Sequence, residues 1–429
     1  MPPKRSALLA VSLAGLVATS AVLAPARPTP AAAPPIQLVE TVPVESDLGN
    51  PALPAAAQVW VEMIDGAKRS VDLEHFYLSH WPGEPTGPVL DALGRAAKRG
   101  VRVRLMLDAR MHDTYPQPTD SLGGLPGVQV RLLDMRKVSG GGVQHAKYFV
   151  VDGEQVFVGS QNLDWRALKH IHELGVRARD ARIAGLFTRV FESDWQVATP
   201  VRGAAPETPA AAGPATLPPL PIRLVQTPGD TVAVWPSFSP RGHIPDASLW
   251  DLDAIVRLLD GARSEAVVQL LTYGLGRANE RDSTLDEALR RAAGRGVRVR
   301  LIVSDWEADN ARIGDLQRLS LVPNLEVKLS TVPEWSGGYI PFARVDHCKY
   351  LVVDTLWTWV GTSNWEPDYF YTSRNAALTL RNRPLARQAR AIFETGWRSP
   401  TAQPLRAHEK YPPKVHRETP PPGKTVYGK

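Results

Sequence analysis

The chain has 429 residues, 43% of them hydrophobic and 22% charged, which excludes a disordered or fibrous polymer and suffices to bury two domain-sized cores. Its formal charge is +6, from 50 basic and 44 acidic residues; the excess suits an anionic substrate but is too small to define a nucleic-acid binder. The one cysteine, Cys348, excludes an intramolecular disulfide.

In chain order, residues 1–26 read as an export signal. Lys4 and Arg5 precede an apolar stretch from Ala7 to Leu23, and Ala24-Pro25-Ala26 offers a small-residue cleavage site. The competing reading is an uncleaved N-terminal membrane anchor with the rest of the chain outside; the stretch is Ala-rich and weakly hydrophobic. Either way the protein is exported, to a periplasmic or extracellular location. Residues 27–46 read as a Pro/Ala-rich tether and 47–199 as a first domain. A Pro/Ala-rich linker over 200–219 leads to a second domain over 220–400, and 401–429 form a basic, Pro-rich tail expected to be disordered.

Within the first domain, Ala57 to Ala67 reads as helix and Ser70 to Tyr77 as strand. Val89 to Arg99 is again helical, with Gly100 as its C-terminal cap. Val101 to Leu107 alternates as a strand should, and Val128 to Leu133 and Leu325 to Leu329 are further strands. Tyr148 to Val151 and Gln155 to Val158 flank Asp152-Gly153, which makes a hairpin. Helices alternating with strands imply layered α/β domains with helices on both sheet faces.

The chain is duplicated. His145-x-Lys147-x4-Asp152 with Gly159-Ser160-Gln161-Asn162 returns as His347-x-Lys349-x4-Asp354 with Gly361-Thr362-Ser363-Asn364, every matched position 202 residues from its partner. Leu93 to Arg104 reappears as Leu289 to Arg300, Asp65-Gly66-Ala67 as Asp260-Gly261-Ala262, and Phe191 to Trp195 as Phe393 to Trp397. The offset drifts from 195 to 202, as insertions in surface loops would cause. Two tandem domains follow.

The repeated residues suit phosphodiester chemistry. An imidazole can attack phosphorus to give a covalent phosphohistidine, and a second imidazole can protonate the leaving alkoxide. Two lysines and two asparagines can hold the non-bridging oxygens. Carboxylate-rich or His/Cys clusters with metal spacing are absent, so neither a metal nor another cofactor is expected. Asp152 and Asp354 fall at turns and are assigned a structural role, through hydrogen bonds to their own turn backbone. His145 and Lys147 are two apart and share one strand face; Cys348, between His347 and Lys349, points the other way into the core.

At these residues the chain resembles the phospholipase D superfamily, whose signature is the duplicated His-x-Lys-x4-Asp. The resemblance extends from about residue 45 to 400 and is sharpest in Gly159 to Leu168, Glu173 to Val176, Ile340 to Tyr350, Gly361 to Trp365 and Tyr369-Phe370. These segments look like the branch of the lysosomal phospholipase-D-like 5′-exonucleases and the poxvirus envelope phospholipase-like protein. The resemblance implies two α/β/α sandwich domains related by a pseudo-twofold axis, with the site between them. It places His145, Lys147 and Asn162 opposite His347, Lys349 and Asn364, with Ser160 and Ser363 as secondary phosphate contacts. It also implies that Glu173, 28 residues after His145, orients that imidazole, while the corresponding Asn375 supplies no charge. A carboxylate on the far ring nitrogen raises nucleophilicity, which favours His145 as nucleophile and His347 as general acid, with the exchanged roles left open.

Trp335, Tyr339 and Phe342 crowd the loop before the second motif and are the expected substrate contacts, since bases and acyl chains both pack on such rings. Trp165 and Trp365, placed at matching positions of the repeat, are expected to pack in the core, as are Phe191, Trp195, Phe393 and Trp397. The favoured substrate is single-stranded nucleic acid cut from a 5′ end; the alternative is a membrane phospholipid, with contact to the membrane surface. No obligate protein partner is inferred.

Overall fold

The computed structural model describes residues 33–201, 216–276, 281–309, 313–411, 420 and 423–427. Residues 1–26 and most of the 200–219 linker lie outside them. No helix among the described residues is long and apolar enough to cross a membrane.

The first half contributes β1 (Ile36–Thr41), α1 (Ala56–Asp65), β2 (Ser70–His75), α2 (Thr86–Lys98), β3 (Arg102–Asp108), β4 (Val128–Leu133), β5 (Tyr148–Val151), β6 (Gln155–Gly159), β7 (Glu173–Ala178), α3 (Ala181–Val197) and β8 (Thr199–Pro200). The second contributes β9 (Ile222–Thr227), β10 (Asp230–Ser239), α4 (Asp251–Asp260), β11 (Glu265–Leu270), α5 (Thr284–Gly294), β12 (Arg298–Ser304), β13 (Leu325–Ser330), β14 (Tyr350–Val353), β15 (Trp357–Gly361), β16 (Asn375–Arg381), α6 (Arg383–Arg398) and β17 (Ala402–Pro404). The first sheet runs β1-β7-β6-β5-β2-β3-β4-β8 and the second β9-β10-β16-β15-β14-β11-β12-β13-β17. Apart from the added edge strand β9, the two orders are the same. The motif hairpins β5–β6 and β14–β15 therefore sit mid-sheet.

Two segment assignments differ from the sequence expectation. The tether assigned to 27–46 contains β1, whose Ile36, Leu38 and Val39 are buried against both sheet faces. The tail assigned to 401–429 is not wholly disordered: β17 pairs with β13, and Gly423 to Tyr427 runs beside Tyr339. The Pro/Ala run stops at Pro35 and Ile36–Thr41 contains neither residue, so the composition of its neighbours hid β1, while the prolines of the tail hid the short edge strand β17. The two halves also share a core. The inner helices α3 and α6 and the inner sheet faces of both halves form one cluster, joining Phe187 and Phe191 to Phe238, Ile392 and Phe393. Each half keeps its own outer cluster, under α1 and α2 in one and α4 and α5 in the other.

Alternation within β3 explains how the repeats build this. Val103, Leu105 and Leu107 face the outer core, while Arg104 points inward beneath α3. Its guanidinium lies 4.7 Å from the Phe191 ring centroid and 5.2 Å from that of Trp195, and it pairs with Asp72 and Glu192. Arg300 repeats the arrangement on Phe393 and Trp397, with Glu265 and Glu394. The two aromatic pairs are each one helical turn apart and stack at 19°. Side-chain caps start the inner helices, Asp180 on Arg182 and Ile183 N–H and Asn382 on Leu385 N–H.

Asp152 and Asp354 act on distant backbone instead of their own turns. The Asp152 carboxylate accepts from the N–H groups of Lys68, Arg69 and Ser70, and Asp354 from those of Arg263, Ser264 and Glu265. Both sit at positive φ, 57° and 52°, which Asp tolerates. Each carboxylate pins the turn of its hairpin to the start of the neighbouring strand. Burial works against the Asp354 charge, but the N–H donors of Glu265, Ser264 and Arg263 win and hold its pKa below the ordinary range. A depressed carboxylate stabilises the fold above its unfolded pKa and loses that contribution as pH falls through its folded one. Asp354→Ala should therefore cost about 1–3 kcal/mol in urea unfolding at neutral pH. The gap to wild type should close as the pH falls below the carboxylate range, and a gap constant with pH would count against this role.

Candidate active site

Both His-x-Lys segments lie immediately upstream of their hairpins and cross to the opposite half. His145 N–H donates to the Arg374 carbonyl at 3.0 Å, and His347 N–H to the His172 carbonyl at 2.9 Å. Lys147 and Lys349 are fully buried and donate to the carbonyls of His145 and His347 at 2.5 and 2.8 Å. The motif glycines are demanded by close packing: a Cβ on Gly159 would meet Gly175 Cα at 2.5 Å, and one on Gly361 would meet Ala377 Cβ at 2.7 Å.

The imidazoles are held across the interface. His347 Nδ1 lies 2.8 Å from Glu173 Oε2, so the glutamate that the sequence assigned to His145 orients the other histidine. His145 Nδ1 instead faces Asn375 Oδ1 at 3.1 Å. The Asn375 amide has no freedom to invert, because its Nδ2 donates to the Tyr369 carbonyl at 2.7 Å and its Oδ1 accepts from Thr362 at 2.8 Å. An amide oxygen there requires an N–H on His145 Nδ1, which leaves Nε2 with the lone pair. Distance in sequence from the histidine concealed this exchange, since β7 and β16 each deliver their first residue to the other half's ring.

The first-half Ser160 hydroxyl lies against the Leu174 backbone, 3.3 Å from its O and 3.0 Å from its N–H, and also hydrogen-bonds the Glu173 carboxylate. Ser363 donates to the buried Asp251 carboxylate at 2.8 Å, and its counterpart in the repeat is Gln161, not Ser160. Neither serine is therefore a free phosphate contact. In contrast, Asn162 Oδ1 and Asn364 Oδ1 are buried with no protein partner.

The electrostatics are those of a cationic pocket awaiting an anion. Burial lowers His145 well below its ordinary value, helped by Lys147 and Lys349. His347 is lowered by burial, both lysines and His145, which means the two rings feel one another. Burial and the facing Lys349 lower Lys147, and burial brings Lys349 down to about 7 despite Glu173. Burial pushes Glu173 up against the pull of Lys349.

The aromatic residues nearest a catalytic ring are not those of the expected loop. Phe76 and Tyr369 meet His145 edge-on at centroid distances of 5.1 and 4.8 Å. Trp335 packs on His170 at 4.8 Å and Tyr427 at 4.9 Å, Tyr339 pairs its backbone with Thr425 and Tyr427, and Phe342 alone of the three is exposed. Trp165 joins that cluster, whereas Trp365 lies in the second outer core; the repeat counterpart of Trp365 is Leu163, so the two tryptophans do not match.

Beneath the site, acid and amide exchange places. Gln144 donates to Glu74 at 3.1 Å in one half, and Gln269 to Asp346 at 2.6 Å in the other. The residues just before Glu173 and Asn375 supply the balancing cations: His172 lies between Glu40 at 2.9 Å and Asp346 at 3.3 Å, and Arg374 clasps Asp194 at 2.6 and 2.7 Å. Burial opposes charge on His172, but Cys348 and Asp346 hold its pKa well above the ordinary value. Cys348 is buried and its thiol is pushed up to about 12. His172, Asp346 and Cys348 are the one group among the described residues spaced to hold a metal ion, and their hydrogen bonds to one another account for their placement.

Two half-sites facing each other across a duplicated sheet, each with buried His, Lys and Asn, define a phosphodiester-directed enzyme. The comparisons agree. Residues 60–195 and 255–397 each match the family model described as cardiolipin synthase, PLD-like domain. The chain belongs to the phospholipase D superfamily and is one of its phosphodiesterases. It is 30% identical to phospholipase D Z of Dictyostelium discoideum over 86% of this chain and 90% of that one. It is 33% identical to the 5′-3′ exonuclease PLD3 of Macaca fascicularis, over 86% and 80%. The fold is also that of phosphatidylserine synthase from Haemophilus influenzae, with TM-score 0.60 at 16% identity over 81% and 85% of the two chains.

An anion entering this pocket should raise the lysine and histidine pKa values and bring protons with it. Calorimetric titration with inorganic phosphate near neutral pH, in buffers of different ionisation enthalpy, should report net proton uptake. Binding should weaken as pH rises through the Lys349 value of about 7. Proton release would contradict this electrostatic account.

Proposed function

We propose that the protein is an exported, metal-independent nuclease that trims single-stranded nucleic acid from its 5′ end. The observation that carries the chemistry is the crossed pair of contacts, Glu173 on His347 and Asn375 on His145. His347 Nε2 attacks phosphorus, forming an N–P bond as the P–O bond to the leaving alkoxide breaks. The phosphorylated ring is cationic, and the Glu173 carboxylate offsets that charge. His145 takes up a proton at Nε2 as the anionic substrate enters, gives it to the alkoxide, and then takes one from the water that attacks the N–P bond and frees His347. Lys147, Lys349, Asn162 and Asn364 stabilise the non-bridging oxygens, the role a metal plays elsewhere. This exchanges the roles expected from sequence, because the carboxylate sits on the other ring.

Similarity to PLD3 over most of the chain favours nucleic acid, and the apolar, Ala-rich start of the sequence favours export. Phospholipid is the second reading, motivated by the phospholipase D relative of nearly equal identity.

The deciding experiment compares hydrolysis of a 5′-hydroxyl oligonucleotide with that of phosphatidylglycerol and phosphatidylcholine, in EDTA. The oligonucleotide should be cut and the lipids spared; lipid turnover alone would reverse the substrate assignment, and a strict requirement for added divalent metal would overturn the mechanism. His145→Ala and His347→Ala should each lose roughly 10²–10⁴-fold on the oligonucleotide. On bis(p-nitrophenyl) phosphate, whose leaving group needs no proton, His145→Ala should recover more than His347→Ala. An alkali-quenched phosphate adduct found on His145 would restore the first assignment of roles.

A further inference from the structure

The duplicated halves differ sharply at one corner, at the far end of the strands from the catalytic residues. In the first half Arg177 fills that corner, donating to Glu62 at 2.7 Å and to Gln155 at 2.8 and 3.0 Å. The strand registers put Trp235 and Trp357 where the first half has Gln37 and Gln155, Thr379 where it has Arg177, and the helix repeat puts Arg257 in the place of Glu62. Removing the arginine and the acid leaves a cavity of ≈ 790 Å³ between α4 and the sheet. That volume lies within the range of ligand pockets, roughly 300–1,000 Å³.

Its lining is aromatic and cationic. The Trp235 and Trp357 rings lie 5.2 Å apart at 44°, both half-buried, and the Arg381 guanidinium sits 5.6 Å from the Trp357 centroid. Arg257, Arg263, Arg381 and Arg383 all line the cavity, and none of the four makes an ion pair among the described residues, unlike most other arginines of the protein. The Asp354 carboxylate also lines it but is committed to three backbone N–H groups. Four uncompensated cations around a tryptophan pair fit a ligand that alternates negative charge with flat rings.

We propose that this cavity is an exosite for single-stranded nucleic acid, in which a base stacks on Trp235 and Trp357 and the adjoining phosphates pair with the arginines. The inference rests on the nuclease reading and extends it to substrate length. Asp354 ends the strand whose other end carries Lys349, so cavity and site are separated by roughly 16 Å at ~3.3 Å per residue. A dinucleotide therefore cannot occupy both.

The test uses the whole protein with oligothymidylates of ~2 and ~20 nucleotides, bracketing the usual footprint of a single-strand groove. Trp357→Ala should raise KM for the long substrate roughly 5- to 100-fold without changing kcat, and leave the short one unaffected. Arg257→Glu, which installs the first-half residue at an exposed position, should do the same and reduce the salt dependence of KM by about one to two ions. Unchanged bis(p-nitrophenyl) phosphate turnover certifies the fold of each variant; if Trp357→Ala fails that check, Arg257→Glu decides. Wild-type values for the long substrate in Arg257→Glu would overturn the exosite. Where wild type cuts neither oligonucleotide, the nuclease reading fails, and fluorescence anisotropy of the long strand then judges the cavity separately: no binding, or binding unchanged by the substitution, overturns it. Loss of binding to phosphatidylglycerol vesicles, with oligonucleotide binding intact, would also overturn it in favour of a lipid headgroup.

Discussion

The constraint on which the rest of the structure depends is the burial of two lysine ammoniums beside two imidazoles, with one carboxylate to face them. Lys147 and Lys349 are wholly buried, and each depresses the histidines as well as being depressed by burial. Charges so placed are costly unless something compensates them. Glu173 supplies part of that compensation. The remainder falls to the ligand, which turns an unfavourable cluster into affinity for a phosphodiester and into stabilisation of its transition state.

Holding such a cluster demands rigidity, and the shared core provides it. Each imidazole is fixed by a residue of the opposite half, and each of those residues follows a buried cation, His172 or Arg374, that is itself locked into a carboxylate. The Glu74–Gln144 and Gln269–Asp346 pairs show the two halves solving one packing problem with acid and amide exchanged. A single point of slippage between the halves would thus reach both catalytic rings. The inner helices prevent it by burying Phe187, Phe191, Ile392 and Phe393 in one cluster.

Much of this was legible in the sequence. Period-two and period-3.6 patterns located the central strands and helices within a few residues, and the duplication announced two like halves. The motif histidines and lysines of the two halves lie close enough to depress one another's pKa values. What the sequence hid were partnerships between elements far apart in the chain. Counting 28 residues from His145 to Glu173 identifies an important glutamate but not the ring it touches, because strand order, and not spacing, decides that. Likewise β1 lay unnoticed among prolines and alanines, since its pairing with β7 is visible only once the sheet is built. Phe76 stood out only as part of a strand and Tyr369 only as part of a segment that carries the family resemblance; neither showed its contact with His145.

The carboxylate on one histidine and the amide on the other have a wider consequence. A phosphodiester has two unlike ester oxygens, and a perfectly twofold cleft could not tell them apart. Replacing one side's acid by Asn375 gives the cleft a head and a tail. Under the proposed roles, the two ester oxygens of a bound phosphodiester meet unlike imidazoles, and this acid-for-amide difference between the halves decides which of them leaves.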